Sequence, residues 1–582
     1  MTQHLERDVD SGATGFPARS PLDPTTTHRV SVGTVRRRRL VGVLLVVLPL
    51  VWAGHRAVTG GTGLVNWNGL RLLDDLLATA LSPALDPTFL RIVLDGAVVT
   101  IAFAALGTLG ALLIGAVGGL VLSDVAWARH PPALLRMTRL GLRGVLVAAR
   151  SIHELVWALL LVSVLGLDPL VGVLAIAIPF GAQTAKVFGE TLDNVPAEPL
   201  WALRHSGARS LPAMAYALLP GASPLLLSYS FYRFECAIRS AVLLGVVGLG
   251  GLGQELVVSL QSRNWDEVWT LIFAVLLLSA VVDLWSTRLR SDMAVVNCTE
   301  ISPGLEGLPQ ARTGRRSRWA RWSAVVGALG MALAWWVSDV SLAGLTSERT
   351  RTLATTLLGD LFPPALPLGG WVQLIASVAD TVAMAVLAMA VAVALTLVLG
   401  PWATQSRPAP GHSVTRLRRA AGLAGWLLAR FVLLFLRSVP PTVWAIVALL
   451  ALFPGILPGA LALGLYTGGI LGRLVAEAWE SIDTQARDAL RRSGVRPSVA
   501  AIAAIAPPSG HHLLTYTLYR FEICVRDTAV VGVVGAAGLG RLLAENLAVF
   551  RFPVVTTVLL ASFAVSVGAE LLGRWLRRAT RV

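Results

Sequence analysis

The sequence predicts an all-α polytopic membrane protein made of two homologous halves, and three observations carry that expectation. Of the 582 residues, 55% are hydrophobic and only 14% charged, more apolar length than a soluble protein of this size buries, so several segments must face lipid. The stretch beginning at Ala202 recurs from Ala489, a gap-free shift of 287 positions that pairs Arg150 with Arg437, Trp157 with Trp444, Glu190 with Glu477, Pro220 with Pro507 and Gly253 with Gly540. Apolar runs of roughly 17 to 25 residues, the length that crosses a bilayer, alternate with short Arg-containing loops in both copies.

Taken in order, the chain is polar to Val35, after which Arg36 to Arg39 precede LVGVLLVVLPLVWAG. The second half opens likewise, with Arg315, Arg316, Arg318 and Arg321 around the start of WSAVVGALGMALAWWV. No convincing small-residue cleavage site follows the first run, so both read as uncleaved first helices with cytosolic basic flanks. Spans are expected near 40–57, 94–122, 144–165, 168–188, 222–250 and 267–287, then near 321–338, 374–400, 420–449, 455–475, 509–537 and 553–573. That makes twelve, six per half. Segments 58–93 and 339–373 face outward, and Pro83 aligns with Pro364 at a shift of 281, so six residues of length change lie between there and Arg150. The expected domains are a cytosolic tail 1–39, a first repeat 40–287, a cytosolic linker 288–320 marked by Ser302-Pro303-Gly304, and a second repeat 321–582.

The formal net charge of +15 does not point to nucleic acid. Counting spans from a cytosolic N-terminus puts Arg129, Arg136, Arg139 and Arg143, then Arg407, Arg416, Arg418 and Arg419, and finally Arg574, Arg577, Arg578 and Arg581 inside, as the positive-inside rule requires. Both termini are then cytosolic. Cys236, Cys298 and Cys524 are too few and too scattered for a disulfide framework or a metal cluster. The lone histidines, including His511-His512, read as interface residues. Lys186 is the sole lysine and lies between Ala185 and Val187, so the chain has no phosphate-binding P-loop and should not hydrolyse ATP by that route. The glycine run Gly245 to Gly253 reads as close helix packing and kinking, with a phosphate nest as the alternative.

Charges inside the apolar helices carry the candidate chemistry. Counted from Pro220, Arg233 and Arg239 lie about 20 and 28 Å along a helix, deep in a ~30 Å hydrocarbon core or near its outer edge. They must therefore face protein or a wet pathway. Glu235 and Arg239 are four apart and can pair, and Glu522 and Arg526 repeat the arrangement. Two roles stay open for Arg233, Glu235, Arg239, Arg520, Glu522, Arg526 and Asp527. They hold the two halves together, or they line a substrate pathway in which guanidinium matches the oxygen pair of an oxyanion. The copies are not equivalent: Asp527 stands where the first has Ser240, and Pro440-Pro441 where it has His153-Glu154.

Segments 190–220 and 477–507 resemble the coupling motif of ABC-importer permeases. Gly207 leads to Ala217, Leu219 and Pro220, and Gly494 to Ala504, Ala506 and Pro507, at the motif's spacing. Upstream, Asp488-Ala489-Leu490 fits the motif acid, whereas Trp201-Ala202-Leu203 puts Trp in its place. A short amphipathic helix, turned at Gly and closed by Pro, suits a rigid knob for a groove in a soluble partner. The blocks Arg150–Gly253 and Arg437–Gly540 further resemble the phosphonate-importer permease family, through Ser228-Tyr229 to Tyr232-Arg233-Phe234-Glu235, Thr515-Tyr516 to Tyr519-Arg520-Phe521-Glu522, and the Gly-Val-Val-Gly that begins at Gly245 and at Gly532.

That resemblance implies a type I ABC importer permease fold in a bacterial cytoplasmic membrane, with two single-repeat permeases fused in one chain. It implies import of phosphonate, phosphate or a related small oxyanion by alternating access. The partners it implies are two ATPase subunits that bind ATP and Mg, which leaves this chain without a cofactor, and an extracytoplasmic substrate-binding protein. Two other readings are weighed: a permease for another small solute such as an amino acid, and an ion-coupled secondary transporter, which would not need paired cytosolic knobs. No paired carboxylates, nucleophile triad or metal-ligand cluster suggests an enzyme.

Overall fold

The computed structural model describes residues 32–59, 63–125, 133–292, 318–338, 340–341, 343–404, 416–483 and 485–579. Residues 1–31 of the expected tail, 293–317 of the expected linker with Cys298, Arg315 and Arg316, and Arg129, Arg407 and Arg581 lie outside them. The first half runs α1 (Val32–Thr59), α2 (Gly69–Ala78), a 3-10 turn (Thr79–Leu81), α3 (Pro87–Leu122), α4 (Ala133–Ser151), α5 (Glu154–Leu165), α6 (Pro169–Asp193), α7 (Glu198–His205), α8 (Ser210–Ala217), α9 (Leu219–Gly245), α10 (Leu252–Ser262) and α11 (Trp265–Asp292). The second runs α12 (Arg318–Val337), α13 (Ala343–Thr346), α14 (Glu348–Asp360), α15 (Gly370–Ala403), α16 (Arg416–Ser438), α17 (Pro441–Ala451), α18 (Ile456–Glu480), α19 (Gln485–Arg492), α20 (Pro497–Ala504), α21 (Ala506–Val533), α22 (Leu539–Ala548) and α23 (Phe552–Ala579). Met1–Pro49 and Leu50–Val582 form separate compact units. In the first, the described residues are helical from Val32; all that follows concerns the second.

The all-helical expectation holds, whereas the twelve continuous spans need correction. Among the described residues seven helices are long and apolar enough to cross a membrane, or eight if α4 and α5 count as one broken span. The expected span 144–165 is broken, its two parts bent by 98°. The cause is local: His153 caps α5, its Nδ1 accepting the Leu155 N–H at 3.2 Å, so a new helix starts inside the apolar run. At the equivalent place Pro440-Pro441 breaks 420–449 into α16 and α17, because proline opens a helix more readily than it continues one. The expected spans 222–250 and 509–537 end early, at Gly245 and Val533.

Small residues set the packing. In the first half Gly110 sits so close to Ala177 that an added Cβ would lie 2.7 Å from the alanine Cβ, and in the second Gly464 is as tight against Val391, at 2.6 Å. The glycine has changed partners: Gly110 and Val391 are equivalent at the shift of 281, Ala177 and Gly464 at 287. One small residue per contact is enough for α3 to meet α6, and α15 to meet α18, at backbone distance. The run from Gly245 follows the same logic as a tight turn. A Cβ on Gly253 would lie 1.7 Å from the Val242 carbonyl oxygen, and Gly248, Gly250 and Gly251 take φ of +86°, +97° and +79°.

The halves interlock by exchanging elements. Ala53 and Ala57 of α1 pack in the core of the second half, and Arg56 Nε bonds Asp380 of α15 at 2.7 Å. Conversely, Ala334 of α12 and the nearby Val340 pack with Ala102, Ala105 and Leu106 of α3. The broken helices cross over in the same way, with Val156 of α5 among Leu539, Leu543 and Val555, and its equivalent Val443 of α17 among Leu252, Leu256 and Val268.

These contacts separate two kinds of glycine. Gly118→Leu, where a Cβ would meet that of Ala185 at 2.6 Å, should destabilise by about 1–3 kcal/mol through overpacking. Gly141→Ala, with open space around it, should be neutral or stabilise by up to about 1 kcal/mol. Thermal unfolding of the detergent-purified chain reads both; equal effects would contradict the packing assignment.

Candidate functional site

A cavity of about 290 Å³ lies where the two halves meet. The seven charged residues singled out from the sequence, Arg233, Glu235, Arg239, Arg520, Glu522, Arg526 and Asp527, all line it. Helices α9 and α21 bring them there, each presenting its charged middle turns inward. Ten Lys and Arg side chains face seven carboxylates in the lining, so the wall carries an excess of positive charge.

Pairing in this wall differs from the sequence expectation. Glu235 does bond Arg239, at 3.4 Å, and also Arg437 from the other half, at 3.2 Å. Among the described residues no ion pair joins Glu522 to Arg526; the Arg526 Nη1 instead donates to the Arg150 carbonyl oxygen at 2.9 Å. The two arginines are therefore not alike: one is neutralised by a carboxylate, the other held by a backbone dipole. Arg233 is 8% exposed, and its guanidinium carbon stands 4.6 Å from the Phe180 ring centre and 5.3 Å from that of Tyr229. Its Nε has no hydrogen-bond acceptor. A buried cation held on ring faces keeps its charge available to the cavity.

Further ion pairs between the halves involve residues the sequence reading left aside. Asp283 of α11 takes Arg437 at 3.0 Å and Arg473 at 2.5 Å, both from the second half. Its equivalent Glu570 of α23 takes Arg150 at 3.2 Å and Lys186 at 3.9 Å, both from the first. Asp283 and Glu570 thus each serve two cations of the other half. The signal was present: Asp283 and Glu570 are 287 apart, each an acid deep inside its expected apolar span.

A second, asymmetric set crosses the cavity. The Ser240 hydroxyl donates to Glu154 at 2.6 Å, Glu154 lies 3.3 Å from His153 Nδ1, and His153 Nε2 lies 3.6 Å from Asp527. Pro440 and Pro441 replace the histidine and glutamate at the pseudo-equivalent place, which leaves the chain without a counterpart there.

The segments expected to couple to a partner sit next to the end of the cavity marked by Glu190 and Glu477, in the last turns of α6 and α18. Each is two short helices around a left-handed glycine, not one helix: α7, Gly207 at φ +87° and α8, then α19, Gly494 at φ +84° and α20. Both glycines close the same cap. Ala208 N–H bonds Leu203 O at 3.0 Å and Gly207 N–H bonds Arg204 O at 3.1 Å, and the second copy repeats this from Val495 to Leu490 and from Gly494 to Arg491, both at 3.1 Å. Pro220 and Pro507 do not close these helices; they stand in the first turns of α9 and α21. Ala202, Gly207, Pro220, Ala489, Gly494 and Pro507 are exposed, and Asp488 pairs with Arg487 at 2.9 Å. Leu200 anchors the first segment among Leu192, Met214 and Leu218, whereas α19 buries nothing. No group of three or more His, Cys, Asp or Glu is placed to hold a metal among the described residues.

A family profile described as the inner membrane component of binding-protein-dependent transport systems matches residues 133–295 and 422–582. The phosphate-import permease protein PhnE of Mycolicibacterium smegmatis is 28% identical over 439 residues, which cover 75% of this chain and 77% of that one. The putative phosphite transport system permease protein HtxC of Stutzerimonas stutzeri is 33% identical over 205 residues, covering 35% of this chain and 71% of that one. The phosphite transport system permease protein PtxC of the same organism is 31% identical over 226 residues, covering 38% and 78%.

If the exchanged acids hold the halves together, Asp283→Asn and Glu570→Gln should each destabilise by about 1–3 kcal/mol, since two cations lose a charge-assisted bond, although Arg437 keeps Glu235 and Arg473 keeps Glu477. The double variant should lose less than the sum, because once one side opens the other gains water. Unfolding in detergent, followed by size-exclusion chromatography, measures this; a loss below about 1 kcal/mol for both single variants would contradict it.

Proposed function

The chain belongs to the family of binding-protein-dependent transport system inner membrane components, and from that premise we propose that it is the complete membrane pathway of an ATP-driven oxyanion importer, both halves in one polypeptide. The cargo is phosphonate, phosphate or phosphite, as the names of its relatives suggest. The cationic cavity at the inter-half contact is the route, and an oxyanion there meets Arg233, Arg520 and Arg526. The glutamate beside Arg239 moderates binding, since an anion held too tightly would not leave. Twelve crossings, with α4–α5 and α16–α17 each taken as one broken crossing, put both termini and the coupling segments in the cytosol of a bacterial inner membrane.

Two separate ATPase subunits, carrying ATP and Mg, receive the segments around Gly207 and Gly494, and an extracytoplasmic binding protein delivers the anion. ATP-driven closure of the ATPases draws the two segments together and rocks the halves about the pseudo-twofold, exposing the cavity alternately to each side. The observation that carries this reading is the repeated helix–glycine–helix knob, with matching cap bonds and an exposed face, close in sequence to the cavity-lining Glu190 and Glu477.

Proline at either glycine removes the N–H of the cap and imposes φ near −65° where about +85° is needed. Gly207→Pro and Gly494→Pro should therefore assemble in the membrane and lose coupled ATP hydrolysis, and the two sites should differ in sensitivity because Asp488 fits the motif acid and Trp201 does not. A variant that assembles and couples normally would count against docking there. In vesicles reconstituted with partner ATPases, Arg233→Gln and Arg526→Gln should lower uptake per folded protein by about tenfold, as loss of one charge-assisted bond implies, while Glu235→Gln should mainly lower folded yield. Equal normalised uptake in all of them would leave these residues as interface pins.

A further inference from the structure

Resting on that oxyanion reading, we propose that Asp527 makes the cavity selective for oxyanions that keep a proton on one oxygen, so that phosphonate and phosphate monoanions are taken and fully deprotonated anions of equal charge and shape are refused.

The geometry of the asymmetric polar set carries this. His153 Nδ1 accepts the Leu155 N–H at 3.2 Å, which leaves the ring proton on Nε2, 3.6 Å from the Asp527 carboxylate. Asp527, 8% exposed, thus faces that nitrogen in a wall where ten Lys and Arg side chains outnumber seven carboxylates. Its charged neighbours are Arg520, Arg526 and Glu154. Arg233, equally buried and with an Nε that has no acceptor, faces the same space. A purely cationic wall would take any small anion. Of the two carboxylates buried in this wall, Glu235 is engaged by Arg239 and Arg437, so Asp527 is the one offered to an anion that presents acceptor oxygens to the guanidiniums and one hydroxyl to a carboxylate. An anion without that hydroxyl sets two lone pairs against each other in a poorly hydrated site, which costs more than a missing bond.

The device exists once. The equivalent of Asp527 is Ser240, which is occupied as a donor to Glu154 at 2.6 Å, and the equivalents of His153 and Glu154 are prolines. Selection is therefore assigned to the α21 side of the cavity, and a homodimer of either half could not build it.

Methylphosphonate monoanion and methanesulfonate provide the test, because they share charge, shape and a methyl group and differ by one oxygen-bound proton. Saturation-transfer NMR on those methyl protons, with the full chain in lipid nanodiscs at mildly acidic pH, reads binding of each. The parent should prefer methylphosphonate by about tenfold or more. Asp527→Ser, the residue tolerated at 240, should bring the preference to within roughly threefold by weakening methylphosphonate while methanesulfonate holds or gains, which also shows that the cavity has survived. Asp527→Asn should shift the ratio the same way if the serine variant misfolds. A parent that binds both anions equally, or a preference unchanged in both variants, overturns the selection while the oxyanion reading stands. A parent that binds neither overturns both.

Discussion

The buried charge between the halves is the constraint on which the rest of this structure depends. A carboxylate or guanidinium taken into the interior of a membrane protein must find a partner, and here several of the partners lie across the pseudo-twofold. Asp283 answers Arg437 and Arg473, and Glu570 answers Arg150 and Lys186. Because each half supplies a carboxylate to cations of the other, neither is a finished body. The crossed packing of α1, α5, α12 and α17 extends the same dependence to apolar surface. Rocking about the twofold must either keep these pairs as hinges or trade them for water and cargo, which ties the ionic state of the cavity to its conformation.

Fusion of two repeats in one chain lets the symmetric frame hold an asymmetric lining. The frame repeats closely: the same shift relates Val156 to Val443, Asp283 to Glu570 and Gly207 to Gly494. The lining does not. Glu235 neutralises Arg239 and Arg437 on one side, while on the other Arg526 rests on a carbonyl. His153 and Glu154 face Asp527 across a gap whose mirror image is two prolines. A single file of small anions needs only one good path, so one side can specialise while the other supplies structure.

Much of this was legible in the sequence, for physical reasons that can be stated. The repeat, the positions of most helices and the glycine turns depend on local chemistry: apolar length, φ above zero and cap bonds within five residues. The residues of the cavity were legible too, because charge in an apolar helix has few other places to go. What failed depends on contacts remote in sequence. The i,i+4 spacing of Glu522 and Arg526 permits a pair, but the Arg150 carbonyl, 376 positions away, holds the arginine instead. The break at His153 looked like continuous apolar helix because its cap is one imidazole, whereas at Pro440-Pro441, its equivalent, the expected span 420–449 ran through a stop signal present in the sequence. The exchange of first helices left no sign, since an alanine face packs equally well on either half.

Cys236 lines the cavity one turn from Arg233 and beside Arg239, whose Nη2 lies 3.4 Å from its sulfur, while Cys524 is fully buried. With Cys298 and Cys524 replaced by serine, this native thiol becomes a reporter from inside the route. The decisive measurement is the rate at which an anionic methanethiosulfonate reagent labels Cys236 in vesicles that contain the partner ATPases and binding protein. If the inter-half cavity is the oxyanion path, phosphonate should slow labelling, and ATP turnover should change the side from which the reagent gains access. Labelling that ignores both phosphonate and ATP would show that anions travel elsewhere.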